Sequence, residues 1–260
     1  MPELPDVETF KRYLDATALH QTIERVHVEA PGLLEDLSPQ GLGRMLTHHR
    51  FERTQRHGKY VFVQLETGRW LVLHFGMSGR LAYYKCEQKG APPAQLRIDF
   101  DNGYHLAYIA PRKLGHIALT DNTGDFIATH DLGPDALALD FEHFRKRTAG
   151  RRGAVKSWLM NQQAVAGIGN IYADEILFQA GIHPQCQLTE LGQDELERLF
   201  KSLRKVLDEA IAAQADPARL PASFLLPQRH KGGCCPACGA PLKTVAVSGR
   251  TAYYCSTCQS

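Results

Sequence analysis

The sequence predicts an α+β protein, and three observations carry that prediction. Short runs rich in β-branched and aromatic residues fill the stretch from Ile23 to Thr120, helical spacing of apolar residues dominates from Ala154 to Ile211, and cysteines crowd the final segment. The first half therefore reads as a β-sandwich or barrel, the second as helical, and the tail as a small metal-bearing unit.

Taken in order, the chain opens with Met1-Pro2-Glu3-Leu4-Pro5-Asp6-Val7-Glu8. Methionine before a small residue is normally trimmed, which would leave Pro2 with a free secondary amine. An α-amino group has a pKa near ~7.8, against ~10.4 for lysine, so a useful fraction is unprotonated at neutral pH. Such an amine can attack an aldehyde-like carbon, and the carboxyl of Glu3 beside it can shuttle protons. A disordered or merely capping start is the other use of the same residues. Leu4, Val7, Phe10 and Leu14 then predict a short amphipathic helix that would fix Pro2 and Glu3 in place.

Five strands follow at 60–65, 70–75, 96–100, 104–109 and 116–120, with hairpin turns at Glu66-Thr67-Gly68-Arg69 and Asp101-Asn102-Gly103. Three stretches between runs are unusually basic or glycine-rich: Arg56-His57-Gly58-Lys59, His74-Phe75-Gly76-Met77-Ser78-Gly79-Arg80 and Pro111-Arg112-Lys113-Leu114-Gly115. Glycine permits close backbone approach, and Lys or Arg beside it suits a phosphate chain. Ordinary strand-connecting loops with solvated charges would look the same.

Residues 121–139 carry turn residues and mark the boundary between halves. Beyond it, 154–162 reads as a helix, Val165-Ala166-Gly167-Ile168-Gly169 as a turn, and 170–180 as a second helix capped by Asn170 and ended by Gly181 and Pro184. Helix N-termini joined by a glycine turn present N–H groups suited to an anion such as a DNA phosphate, although a purely structural αα-hairpin has the same spacing. Leu196 to Ile211 marks a long amphipathic helix whose stripe is core, and the proline-bearing 216–228 is a linker.

In the tail, Cys235-x2-Cys238 and Cys255-x2-Cys258 are separated by sixteen residues. This spacing brings four thiolates to one tetrahedral Zn²⁺, and four protein ligands leave no open position, so the zinc is structural. Runs on either side of Ser248-Gly249-Arg250 predict a hairpin between the pairs, and Cys234 reads as a bystander. Cys86 and Cys186 stand alone, so the seven cysteines do not form a disulfide framework.

Net charge is only +2 and pI about 8.2, so a nucleic-acid partner must be argued from local clusters. One lies in 228–260, whose charged residues are Arg229, Lys231, Lys243 and Arg250, with no acid. No apolar run approaches the ~20 residues that span a bilayer. The expectation is a soluble cytosolic chain with no membrane partner.

Together these stretches resemble the formamidopyrimidine-DNA glycosylase and endonuclease VIII family over nearly the whole chain. The resemblance rests on Met1-Pro2-Glu3-Leu4-Pro5, Gly58-Lys59-Tyr60, 74–79, Pro111-Arg112, 167–175 and the cysteine pairs. It implies an N-terminal β-sandwich with flanking helices (1–132), a helical domain with a helix-two-turns-helix motif (133–227) and a β-hairpin zinc finger (228–260). It implies a monomer acting in the bacterial cytosol or nucleoid on damaged double-stranded DNA, flipping out a damaged base. Pro2 would form an imine at C1′, Glu3 would serve as acid/base, and β,δ-elimination would follow. Lys59 would contact phosphate or assist proton transfer. Met77, Arg112 and Leu114 would fill the space of the flipped nucleotide and meet the orphaned base. His74, Lys156, Asn170 and Arg250 complete the DNA-binding set.

Three departures bear on the substrate. Leu114 replaces an aromatic wedge, Asp6 stands where Glu is usual, and 212–231 is several residues shorter than the region that covers a flipped 8-oxoguanine in relatives. The expected preference shifts toward ring-opened purines, oxidised pyrimidines or abasic sites. The alternative is a catalytically silent lesion-binding protein of the same fold; a zinc-ribbon interaction factor would explain the cysteines but not the Pro-Glu terminus.

Overall fold

A computed structural model describes residues 1–85 and 93–260; Cys86 lies outside them. The chain divides into two compact units, one of Met1–Pro2 with Asp6–His130 and one of Glu3–Pro5 with Asp131–Ser260.

The first unit holds most of α1 (Leu4–Thr17), then β1 (Ile23–Val28), α2 (Pro39–Leu46), β2 (Phe51–His57), β3 (Tyr60–Leu65), β4 (Trp70–His74), β5 (Arg80–Lys85), β6 (Leu96–Phe100), β7 (Tyr104–Ile109), β8 (His116–Thr120) and α3 (Thr123–Thr129). Two antiparallel four-stranded sheets form, in the orders β1-β6-β7-β5 and β2-β3-β4-β8. Their apolar faces share one core: Phe51, Val61 and Leu73 come from one sheet and Ile98, Leu106 and Tyr108 from the other, with Val7 and Leu14 of α1 added. This is the predicted sandwich. The opposite face of β3 and β4 is covered too, because Phe62, Trp70 and Val72 pack with Phe126 of α3. Strands buried on both faces read as continuous apolar runs, which is why these two were legible.

Strands β1, β2 and β5 were not predicted, and each is an edge of its sheet. Edge strands carry charge that prevents further pairing. Phe51–His57 reads FERTQRH, so Arg56 and His57, expected in a loop, belong to β2, and the turn is only Gly58-Lys59.

The second unit contains α4 (Phe141–Thr148), α5 (Val155–Met160), α6 (Asn170–Ala180), α7 (Gln193–Ala212), β9 (Lys243–Val247) and β10 (Arg250–Tyr254). Helix α6 has the predicted bounds and lies at the centre of a core with Leu159, Leu203 and Leu207. It ends at Gly181, whose φ of +69° lets the Ile182 N–H turn back onto Leu177 O at 3.0 Å. The Gln193–Ala212 helix buries Leu199, Leu203, Val206, Leu207 and Ala210, the expected stripe. Strands β9 and β10 pair around Ser248-Gly249, both with positive φ, as a two-residue hairpin requires. Among the described residues no helix is long and apolar enough to cross a membrane.

Candidate functional site

In the second unit the terminal stretch is built into α6. Glu3 is 1 % exposed; its Oε2 accepts from the Gly169 N–H at 2.7 Å and the Tyr172 N–H at 3.2 Å, and its Oε1 accepts from the Ile171 N–H at 2.9 Å. These are donors that the first turn of a helix leaves unsatisfied. The expectation of an anion at this glycine turn holds, but the anion is the protein's own carboxylate and not a phosphate. Asn170 is consequently not the cap: it is the first helical residue, Gly169 holds the cap position, and Glu3 supplies the acceptors. The glycines explain themselves in the same way. A Cβ on Gly169 would sit 2.8 Å from Glu3 Cγ and closer still to its carboxyl, and one on Gly167 would lie 2.6 Å from Leu4 Cδ1. The Leu4 N–H donates to Gly167 O at 3.0 Å, completing the clamp on the terminal stretch.

One turn further along α6, Asp174 is fully buried. Its Oδ1 is 2.7 Å from Lys156 Nζ, and its Oδ2 accepts from Arg229 Nε at 2.8 Å and from the Tyr253 N–H at 3.1 Å. Lys156 is 0 % exposed, so it is not a solvent-facing phosphate contact as expected; in this conformation its charge is spent on Asp174 inside the unit. Burial pushes the Lys156 pKa down, against the pull of Asp174. Arg229 Nη2 and Asn170 Nδ2 both donate to Thr251 O, at 3.4 and 3.2 Å. Helices α5 and α6 and the β9–β10 hairpin are thus joined by one polar network. Arg250 is exposed beside the hairpin turn.

The Sγ atoms of Cys235, Cys238, Cys255 and Cys258 all lie within 4.8 Å of one another, with Cys235–Cys258 at 3.8 Å and Cys238–Cys255 at 3.5 Å. Zn–S bonds of about 2.3 Å in a tetrahedron put sulfurs about 3.8 Å apart, so the four residues fit one zinc ion. Cys234 is exposed and outside the cluster.

In the first unit, Lys59 is 6 % exposed in the β2–β3 turn, where Gly58 has φ +55°. His74 ends β4 with its ring centroid 4.8 Å from that of Tyr60, and its Nδ1 is buried with no hydrogen-bond partner among the described residues. Burial, with smaller contributions from His116 and Lys59, lowers its pKa to about 4, so the ring is neutral at pH 7. The loops after β4 and β7 lie against each other. Gly76, at φ +57°, leaves no room for a Cβ beside the Leu114 carbonyl, and Tyr108 OH donates to His74 O at 2.8 Å over Gly115. These adjacent loops expose Met77 (44 %) and Leu114 (49 %), two of the three exposed large hydrophobics among the described residues, with Arg112 also exposed.

The formamidopyrimidine-DNA glycosylase N-terminal domain matches residues 1–117, its H2TH domain residues 132–221, and the zinc finger found in FPG and IleRS residues 234–260. The formamidopyrimidine-DNA glycosylase of Geobacter metallireducens is 37% identical over 100% of both chains, and that of Gluconobacter oxydans 34% over 100% of both. This chain belongs to the formamidopyrimidine-DNA glycosylase family.

Solved structures of that family share the fold. The Lactococcus lactis Fpg protein in complex with THF-DNA and an inhibitor superposes with a TM-score of 0.89 at 28% identity over 100% of both chains. The wild-type L. lactis Fpg bound to DNA containing N7-benzyl-Fapy-dG gives 0.88 at 27% over 99% of both. Zinc is the structural metal of this family member, held by the four clustered cysteines. Sequence reasoning named Glu3 and Asn170 but missed what they bind; it placed Asp174 only within the family motif and Arg229 only in the basic tail, and gave Thr251 no role. Two adjacent acids, Asp174 and Glu175, inside an otherwise apolar helix were the available signal. It also missed a basic cleft of about 500 Å³ lined by Lys146, Arg147, Arg151 and Arg152 with Ser157 and Asn161, and no acid.

Proposed function

We propose that this chain is a base-excision repair enzyme, a DNA glycosylase with abasic-site lyase activity that removes oxidised or ring-opened bases from duplex DNA. The observation that supports it most is the Glu3 carboxylate, held by three N–H donors one peptide bond from Pro2. An acid/base group gains most when its position is fixed before the substrate arrives.

With Met1 removed, the Pro2 nitrogen bonds to C1′ of the damaged nucleotide as the glycosidic bond breaks. The bonding pair leaves with the base, which takes up a proton, and opening of the sugar ring gives an imine. The imine acidifies the C2′ hydrogen; its removal expels the 3′ phosphate, and a second elimination expels the 5′ phosphate, leaving a one-nucleotide gap. Glu3 carries the proton transfers at the sugar, and Lys59 serves the neighbouring phosphate. Exposed Met77 and Leu114 wedge into the stack vacated by the flipped nucleotide while Arg112 meets the orphaned base. His74, Asn170 and Arg250 hold backbone, with Arg250 on the zinc-bearing hairpin; Lys156 joins them only by leaving Asp174. Zinc closes the tail and so fixes that hairpin. These contacts position the duplex without reading its sequence, as genome-wide repair demands.

The domain division proposed is 1–132, 133–227 and 228–260, and the working form a cytosolic monomer. The short 212–231 segment favours ring-opened purines, oxidised pyrimidines or abasic sites over 8-oxoguanine. Excision of 8-oxoguanine as fast as of these lesions would overturn that preference.

The deciding experiment is borohydride trapping on duplex DNA with an abasic site, comparing the Met1-processed protein with a form whose terminal amine is blocked. A covalent adduct from the free terminus alone supports Pro2 as nucleophile. Tight binding without an adduct would favour the catalytically silent lesion binder.

A further inference from the structure

His116 opens β8 directly opposite His74 of β4 in antiparallel register, so the two side chains leave the sheet on the same face. Their ring centroids are 5.7 Å apart. His74 is mostly buried, whereas His116 is exposed. It follows Leu114 and Gly115 at once, at the foot of the loop that presents Arg112 and Leu114.

We infer that His116 is a further DNA-backbone contact, a cation completed by the phosphate it meets, which makes DNA binding take up a proton. The inference rests on the glycosylase reading above.

The charge around His116 argues for it. Lys59 of the β2–β3 turn and His116 both act electrostatically on His74, and exposed Arg112 and Lys113 precede His116 in the adjoining loop. Glu35 runs beside β8, its backbone N–H donating to Ile117 O at 3.0 Å. Its Oε1 lies 3.0 Å from His130 Nε2, and the Tyr60 ring is tilted against those of His130 and His74, at 6.3 and 4.8 Å between centroids. An exposed imidazole beside His74, at the foot of the loop that carries Arg112, is placed to meet a phosphate chain drawn to that loop. A phosphodiester brought against it favours the imidazolium, because an adjacent anion stabilises the charged form. Histidine is the side chain able to make this change near neutral pH. Its neighbour His74 cannot do so as readily, because its burial opposes the charge.

The test measures the affinity of the full-length, Met1-processed protein for a duplex with a reduced abasic site, at about pH 6 and about pH 8, over a salt series. Three proteins are compared: unaltered, His116→Gln and His116→Arg. The unaltered protein should bind more tightly at the lower pH. His116→Gln should lose most of that gain, and its log–log salt slope at the lower pH should shrink by about 0.9, the signature of one lost phosphate contact. His116→Arg should bind at the higher pH as the unaltered protein does at the lower, with the pH response flattened. Equal pH responses and salt slopes in the unaltered protein and His116→Gln would overturn the inference while leaving the glycosylase reading intact. Failure of the unaltered protein to bind the duplex at either pH would overturn both.

Discussion

Glu3 and Gly169 are fitted to each other: the Gly169 N–H donates to Glu3 Oε2 at 2.7 Å, and the missing Gly169 side chain is the space that the Glu3 carboxyl occupies. Gly169→Ala should therefore displace the carboxylate without touching Pro2. Because small misplacements of a reacting group cost about 10²-fold, borohydride trapping should slow by roughly that factor. A rate within twofold of the unaltered protein would show that the position of Glu3 is not limiting.

Replacing Asp174 tests the buried network. Asp174→Asn leaves the Lys156 amine buried without its counter-ion, and removing one partner of such a pair costs about 3–5 kcal/mol. Urea unfolding should show that loss, and adding Lys156→Met should recover part of it, because the fully buried amine is then gone and only Arg229, 15 % exposed, still lacks its carboxylate. A loss below about 1 kcal/mol would mean that the amine is hydrated or mobile.

Metal analysis should give one zinc per chain. Chelation should expose the four sulfurs of Cys235, Cys238, Cys255 and Cys258 to a thiol reagent and weaken DNA binding, since the hairpin carrying Arg250 lies between the cysteine pairs. Unchanged affinity after zinc removal would separate the finger from DNA binding.

Acid stability should depend on Asp99. Burial opposes its ionisation, but hydrogen bonds from His105, Arg97 and His27 outweigh burial and hold its carboxyl below the usual carboxylate range. A depressed folded pKa contributes stability that is complete above the unfolded value of about 3.9 and is lost as pH falls through the folded one. Asp99→Asn should lower stability at neutral pH and flatten the decline below about pH 4. An unchanged acid limb in urea unfolding would count against this account.

Legibility followed burial and locality. Central strands β3, β4, β6 and β7 announce themselves by apolar runs, while edges β1, β2 and β5 hide behind the charges that keep them unpaired. Helix α6 was bounded to the residue by its glycines. The Val155–Met160 helix ends two residues before the expected 162, because Asn161 turns extended as its C-cap and the Gln162 amide donates to Met160 O and Ile168 O.

By itself the sequence determined the sandwich, the helical half and the zinc ligands, and it put Pro2 and Glu3 forward as candidates, because each is written in local spacing or in a short motif. Only the tertiary structure decided what fills the α6 N-terminus, why Lys156 is buried, and that His116 faces His74. These depend on partners 166 residues apart for Glu3 and Gly169, and on strand register for the histidines. A one-residue slip in that register would turn His116 to the other face of the sheet, and no local pattern in the chain fixes it.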